Sequence, residues 1–225
     1  MNKTFAIIPV SRFSHAKTRL SPTLSPSERE GLLKAMLMDV TDSLKNIVSE
    51  VVVISSDEDV LDFAYDLGVK ILQEKGQTDL NGALQQAVDW CAGDCQKIII
   101  TPSDIPLLSL ANPENLIAES EKYDMVIAPA KGGGTNAIIF KPNNINLKFG
   151  DCSFFEHLSE ANNNGLSFQI YDSFYLSLDV NTAEDLGEII LHGNGTNTQK
   201  YLKKLNLMVK PYRGSDRLEI VREIQ

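Results

Sequence analysis

Six short apolar runs punctuate the first 140 residues: Thr4-Phe-Ala-Ile-Ile-Pro9, Val51-Val-Val-Ile-Ser55, Val69-Lys-Ile-Leu-Gln73, Lys97-Ile-Ile-Ile-Thr101, Met125-Val-Ile-Ala128 and Ala137-Ile-Ile-Phe140. Runs this short, apolar nearly throughout and rich in β-branched residues, read as strands buried on both faces. Between the first two, Leu33, Met36, Leu37, Val40, Leu44, Ile47 and Val48 recur at three- and four-residue spacing and mark one face of a helix. Ser25-Pro-Ser-Glu28 opens that helix as a capping box with proline in the first turn. The same signals predict helices over about 58–67, closed by Gly68, over about 80–92, and over about 113–121, where Asn112-Pro113 supplies cap and first turn. Strands and helices thus alternate. The fold class is α/β: a mixed, mostly parallel sheet with helices on both faces, right-handed crossovers, and ligands beyond the carboxyl ends of the strands. The second half is less regular, with a helix expected at about 153–163, strand-like segments at 168–171 and 174–178, and helices from Thr182 and from about Thr198. The main domain is read as 1–206. The tail, 207–225, carries Leu207, Val209, Tyr212, Leu218, Ile220 and Val221, too apolar to stay in solvent, and a partner subunit of a homodimer is its expected packing surface.

Composition narrows the class without changing it. With 225 residues, 43% hydrophobic and 23% charged, the chain can bury a large core without disulfides or structural metal. Cys91, Cys95 and Cys152 are an odd set with no metal-ligand spacing and are read as reduced and buried. The apolar run Phe5 to Val10 is too short for a signal peptide, and no run approaches the roughly eighteen apolar residues of a membrane span, so the expected compartment is the cytosol. A net charge of −9 argues against nucleic acid and anionic membrane as partners. That charge is unevenly distributed. Residues 1–27 hold Lys3, Arg12, Lys17 and Arg19 and no acid, leaving 17 basic against 30 acidic residues for the remainder.

Three of those cations lie in Pro9-Val-Ser-Arg-Phe-Ser-His-Ala-Lys-Thr-Arg-Leu20, after the first strand. The loop has no glycine, which excludes both the dinucleotide turn and the Walker loop. Its cations are placed to meet a polyphosphate, Arg through its fork and Lys as a point charge, although a solvated basic loop would look the same. After the fourth strand, Thr101-Pro-Ser-Asp104-Ile-Pro106 holds an aspartate between two prolines that fix the turn. A second, Asp179, follows an apolar segment in Leu178-Asp-Val-Asn-Thr182. At roughly 4 Å two carboxylates repel by about 4 kcal/mol at an effective dielectric of 20, and a divalent cation reverses the sign. If they converge, this is a Mg²⁺ site in outline, since magnesium takes few carboxylates when phosphates and water complete its shell. Each aspartate alone is equally well a loop or capping residue.

Weaker signals surround these. Ala130-Lys-Gly-Gly-Gly-Thr-Asn-Ala137 lets backbone N–H groups approach an anion, or is a flexible hairpin. Phe149-Gly-Asp-Cys-Ser153 puts a glycine and a hydroxyl ahead of a helix whose amides can bind phosphate or carboxylate. Between Gln73 and Asn81, amide and carboxylate groups can read a base edge, with Asp79 equally able to cap the next helix. Asp57-Glu-Asp59 opens a helix and is read as capping. His15, His157 and His192 fit no triad or ligand spacing and receive no role.

Taken together, Ala6-Ile-Ile-Pro-Val10 with Ala16-Lys-Thr-Arg-Leu20, Thr101-Pro-Ser-Asp-Ile-Pro106, Gly132-Gly-Gly-Thr-Asn136, Phe149-Gly150 with Ser153-Phe154, and Asp179-Val180 with Thr182 resemble the 2-phospho-L-lactate guanylyltransferase family over about residues 4–206. The resemblance implies a Rossmann-like nucleotidyltransferase fold and transfer of GMP from GTP to a phosphorylated three-carbon acid (2-phospho-L-lactate, phosphoenolpyruvate or 3-phosphoglycerate), with release of pyrophosphate, in coenzyme F-420 biosynthesis. It implies Lys17 and Arg19 as triphosphate ligands, Asp104 and Asp179 as Mg²⁺ ligands, and Thr135, Gly150 and Ser153 around the phospho-acid. Gln73, Asp79, Asn81 and Ser103 complete the expected nucleotide contacts. Two positions depart from the family pattern: Asn181 stands where aspartate is common, and Ser11 where lysine is usual, with Arg12 next to it. Alternatives at this level are another nucleotidyltransferase with a molybdopterin or sugar-phosphate acceptor, a nucleotide-sugar glycosyltransferase, and a catalytically silent nucleotide-binding subunit.

Overall fold

Phe5 and Ile7 face one side of the first strand and Ala6 and Ile8 the other, and all four are buried. The same alternation runs through the fourth strand, with Ile98 and Ile100 opposed to Ile99, so each strand feeds two cores, one on either face of the sheet. In the computed structural model, which describes residues 3–15, 17–76, 78–211 and 218–222, the elements run β1 (Thr4–Pro9), α1 (Pro26–Lys45), β2 (Glu50–Ser55), α2 (Glu58–Asp66), β3 (Lys70–Gln73), α3 (Leu80–Cys91) and β4 (Lys97–Ile100). Then follow α4 (Pro113–Glu119), β5 (Met125–Pro129), β6 (Thr135–Phe140), α5 (Ser153–Asn163), β7 (Phe168–Ile170), α6 (Phe174–Ser177), α7 (Ala183–His192), α8 (Asn197–Lys204), β8 (Leu207–Pro211) and β9 (Leu218–Arg222).

Seven strands form one sheet in the order β3-β2-β1-β4-β6-β5-β7. Only β6 runs antiparallel to its neighbours β4 and β5, so the sheet is mixed and mostly parallel, as expected. From β1 the chain first winds outward through β2 and β3, then returns to place β4 on the other side of β1. The reversal leaves a crevice at the carboxyl ends of β1 and β4. The Ser25 capping box is formed, with the Ser25 hydroxyl accepting from Glu28 N–H and Glu28 accepting from Ser25 N–H at 2.8 Å. Gly68 closes α2 at φ +74°. Among the described residues, no helix is long and apolar enough to cross a membrane.

Four expectations change. The segment 174–178 is a helical turn, α6, because burying Leu176 in the core outweighs the β preference of its aromatic neighbours, and Asn136 Nδ2 pins the Leu176 carbonyl at 2.8 Å. Asn112 precedes α4 in a left-handed conformation, φ 52°, and its side chain makes no capping hydrogen bond. Cys152 is exposed, while Cys91 and Cys95 are buried free thiols. The tail finds its packing surface on its own chain. The strands β8 and β9 pair antiparallel, Leu207 enters the main core, and Leu218 and Val209 close over Gly187 of α7. Arg222 then reaches Glu28 of α1, at 2.7 and 3.1 Å to its two carboxylate oxygens. Of the residues assigned to the tail core, Tyr212 lies outside the described residues.

Candidate active site

The glycine-free loop after β1 keeps its shape by burying Phe13, Leu20 and Leu24 in the same core as α1. Two short 3₁₀ turns, Phe13–His15 and Thr18–Leu20, carry it across the crevice. Lys17 stands between them at φ 56°, ψ 38°, a left-handed conformation that costs a side-chain-bearing residue roughly 1–2 kcal/mol. What this posture delivers is the ammonium. Lys17 Nζ donates to Asp104 Oδ2, and at 3.0 Å to Asn181 Oδ1.

Asp104 and Asp179 do converge, and the backbone brings them together: Val180 N–H donates to the Asp104 carbonyl at 3.0 Å, stitching the loop after β4 to the segment before α7. Asn181 Nδ2 donates to Asp179 Oδ2, so its amide bridges the second carboxylate and the lysine. The segment is held from behind by Asp185, which accepts from Asn181 N–H (2.9 Å), Thr182 N–H (2.7 Å) and the Thr182 hydroxyl (2.9 Å). Burial works against the Asp185 charge, but these donors and Lys131, 3.1 Å away, outweigh it and hold the carboxyl below its ordinary range. Asp179 shifts the other way: burial raises it, the Asp104 charge raises it further, and Lys17 only partly compensates.

This donor set fits a divalent ion. Asp104, Asp179 and Asn181 line a cavity of about 900 Å³ with oxygen donors of the kind magnesium takes. Among the described residues no group of three or more His, Cys, Asp or Glu side chains forms a self-sufficient metal cage.

The far end of the same cavity is lined by Thr135, Gly150 and Ser153, at the start of β6 and the amino end of α5. Gly132 and Gly133, both at positive φ, make the tight turn before β6, and Phe154 N–H at the start of α5 donates to the Gly133 carbonyl at 3.1 Å. Thr135 and Ser153 are buried, their hydroxyl oxygens 3.3 Å apart. Behind them sits His157, fully buried. Lys148 N–H donates to His157 Nε2 at 3.1 Å, which assigns the remaining ring proton to Nδ1, and Nδ1 donates to Thr135 Oγ1 at 3.0 Å. With the Ser153 hydroxyl also donating to Thr135 Oγ1, the Thr135 hydrogen is left free for the cavity. Burial lowers the His157 pKa to about 4, so the ring is neutral near pH 7.

A second chamber of about 570 Å³ shares Pro9, Leu80, Pro102 and Asp104 with the first. Arg12 and Ser103 line it, and Arg19 lines the larger cavity. The base-edge expectations are corrected here. Gln73 is exposed, does not line the chamber, and reaches only the Ser56 carbonyl at 3.5 Å. Asn81 spends both amide atoms on Phe149, accepting from its N–H and donating to its carbonyl at 2.8 Å each, so it fixes the loop before Gly150 instead of contacting a base. Asp79 lines the chamber but also caps α3, accepting from Gly82 N–H at 2.8 Å. Gln77 and Ala16, within the segments singled out above, lie outside the described residues. His157, Lys131 and Asp185 were missed. Only the four-residue spacing of Ser153 and His157, which puts both on one helical face, could have signalled the first.

The family model described as guanylyl transferase CofC like matches residues 4–223, the tail included. The chain is 67% identical over 220 residues to the 2-phospho-L-lactate guanylyltransferase of Methanothermobacter thermautotrophicus, covering 98% of this chain and 99% of that one. It is 50% identical over 222 residues to that of Methanobrevibacter smithii, covering 99% of each. Among solved structures, a Desulfovibrio desulfuricans protein assigned to the nucleotide-diphospho-sugar transferases superposes with a TM-score of 0.73 at 17% identity, covering 91% of this chain and 95% of that one. The 4-diphosphocytidyl-2C-methyl-D-erythritol synthase of Anaerococcus prevotii superposes with a TM-score of 0.57 at 15% identity, covering 90% and 96%. At these identities the two structures speak for the fold alone.

Proposed function

The chain belongs to the CofC-like guanylyl transferase family, and we propose that it transfers GMP from GTP to 2-phospho-L-lactate, releasing pyrophosphate, in coenzyme F-420 biosynthesis. The observation that carries this reading is the meeting of Lys17 and Asp179 with Asp104, the carboxylate that lines both cavities. In this reading the 570 Å³ chamber takes the nucleoside, with Ser103 beside it, and Arg12, Lys17 and Arg19 take the triphosphate. Thr135, Gly150 and Ser153 take the phospho-acid, with the Lys131 ammonium at the same cavity.

An oxygen of the acceptor phosphate attacks the α-phosphorus in line. The new P–O bond forms as the bond to the bridging oxygen of the β-phosphate breaks, and the electron pair leaves with pyrophosphate. A phosphate monoester is largely ionised at neutral pH, its second pKa being about 6, so no general base is needed. The chain's contribution is position and charge: the lysine and arginines neutralise the leaving group, and the hydroxyl and amide donors orient the nucleophile. Magnesium held by Asp104 and Asp179 would supply further positive charge to the α-phosphate and pyrophosphate.

The test is incubation with GTP, Mg²⁺ and each of 2-phospho-L-lactate, phosphoenolpyruvate and 3-phosphoglycerate, reading pyrophosphate and the mass of any coupled product. A guanylylated phospholactate is expected, and its absence overturns the proposal. Asp104→Asn is expected to lower pyrophosphate release by about 10²-fold or more with an unchanged circular dichroism spectrum. Undiminished turnover would remove Asp104 from the reaction.

A further inference from the structure

The 570 Å³ chamber has apolar walls suited to a flat heterocycle, among them Val10, Ile54, Leu80 and Ala83. Three carboxylates reach it: Glu74, Asp79 and Asp104. Asp104 is engaged with Lys17, and Asp79 caps α3. Glu74 is differently held. Its N–H donates to the Ser55 carbonyl at 2.9 Å, extending the β2–β3 pairing by one residue. The next peptide is clamped on both sides by Gln86 of α3, which accepts from Lys75 N–H at 2.9 Å and donates to the Lys75 carbonyl at 3.1 Å. One oxygen of the Glu74 carboxylate accepts from the Thr78 hydroxyl at 2.7 Å, which orients the group. The result is a fixed, acceptor-only side chain at the edge of an apolar slot.

Among the four common bases, guanine alone presents two adjacent donors, N1–H and the exocyclic amine, on its pairing edge. Adenine and cytosine set an amine beside a ring-nitrogen acceptor, and uracil sets one N–H between two carbonyls. A carboxylate matches the first edge with both oxygens and meets an acceptor on each of the others.

We propose that Glu74 selects guanine, its carboxylate accepting from N1–H and the exocyclic amine of the bound nucleotide. The proposal rests on the reading that GTP is the donor substrate. It makes Glu74, rather than its neighbour Gln73, the base-reading residue after β3.

The test compares GTP with ITP, which lacks the exocyclic amine, and XTP, which carries a carbonyl there, in the full chain and in Glu74→Gln and Glu74→Ala. The acceptor is fixed and pyrophosphate release is read as kcat/KM. Wild type is expected to prefer GTP over ITP by about tenfold to a hundredfold, the value of one hydrogen bond to a charged group. In both variants that preference should collapse toward unity, and Glu74→Gln should gain on XTP, to whose carbonyl its amide can donate. A ratio of two substrates within one preparation does not depend on the fraction folded. Displacement of a fluorescent GTP analogue by GTP and ITP gives the same ratio for a variant too slow to assay. An unchanged GTP-to-ITP ratio in both variants overturns the assignment of Glu74. Failure of wild type to release pyrophosphate from GTP would instead overturn the underlying reading of the reaction.

Discussion

Mild acid should destabilise this protein through His157. The ring is 0% exposed, and its surroundings are built for the neutral form: Lys148 N–H occupies Nε2, and a proton added there would set two donors against each other. The groups that favour protonation, the Ser153 carbonyl and Glu160, are outweighed by burial, and the pKa falls from 6.5 to about 4. Between those values the unfolded chain binds a proton that the folded chain does not, so stability is complete above pH 6.5 and declines as pH drops toward 4. At 1.36 kcal/mol per pH unit the total loss is about 3 kcal/mol, a sizeable part of the 5–15 kcal/mol typical of a domain. The assay is urea unfolding at pH 7.5, 6.5, 5.5 and 4.5 for wild type and His157→Gln. Subtracting the variant, which cannot titrate at this position, removes the other acid-sensitive groups. A difference that is flat across this range would refute the reasoning. The same ring sets the Thr135 hydroxyl, so the variant should also raise KM for the phospho-acid while leaving KM for GTP unchanged. Long-range ¹H–¹⁵N correlation of the imidazole should show the Nδ1–H tautomer.

Three further outcomes follow from the contacts described. Lys17→Met removes the ammonium between Asp104 and Asn181, and pyrophosphate release should fall by roughly 10²–10³; a loss below tenfold would mean that this lysine does not meet the developing charge. Arg222 holds the Glu28 carboxyl down to about 2, so tail docking is favoured above pH 4.5 and lost as pH falls toward 2; hydrogen-exchange protection factors at residues 218–222, taken relative to the intrinsic rate at each pH, should fall across that interval, and unaltered protection would count against the ion pair. Gly187→Ala places a Cβ 3.0 Å from Leu218 Cδ1 and 3.2 Å from Val209 Cγ2, an overpacking cost of about 1–3 kcal/mol measurable by chemical denaturation; a neutral result would show that the hairpin yields at no cost.

What could be read from residues alone was what residues encode locally. The strands of the sheet announce themselves as apolar runs, and the Ser25, Asp57 and Thr182 caps mark helix starts within a few positions. Asp104 was legible because prolines on both sides leave its turn little choice. The misreadings share a different cause, since each depends on where another segment lies. Phe174 and Tyr175 look like strand residues until Leu176 is seen buried in the core. Gln73 and Glu74 are adjacent, and which of them faces the chamber depends on how Gln86 pins the loop. His157 has no motif of its own. Its meaning comes from residue 148 behind it and residue 135 in front, in loop and strand segments whose distance from α5 no periodicity records.

The departure at Asn181 is the place where sequence and geometry together say more than either alone. An asparagine there looks like a missing metal ligand when the motif is read linearly. In the folded chain the Asn181 amide does two jobs that a carboxylate could not combine, accepting from Lys17 through Oδ1 and donating to Asp179 through Nδ2. Asp179 is already pushed upward by burial and by Asp104. A third carboxylate at about 4 Å would add roughly 4 kcal/mol of repulsion per pair at an effective dielectric of 20, which one lysine could offset only once. With asparagine, two acids and one ammonium leave a single net negative charge in the cradle, and the amide fixes Asp179 without adding to it. The cradle is thereby left one positive charge short, where an aspartate would leave it two short.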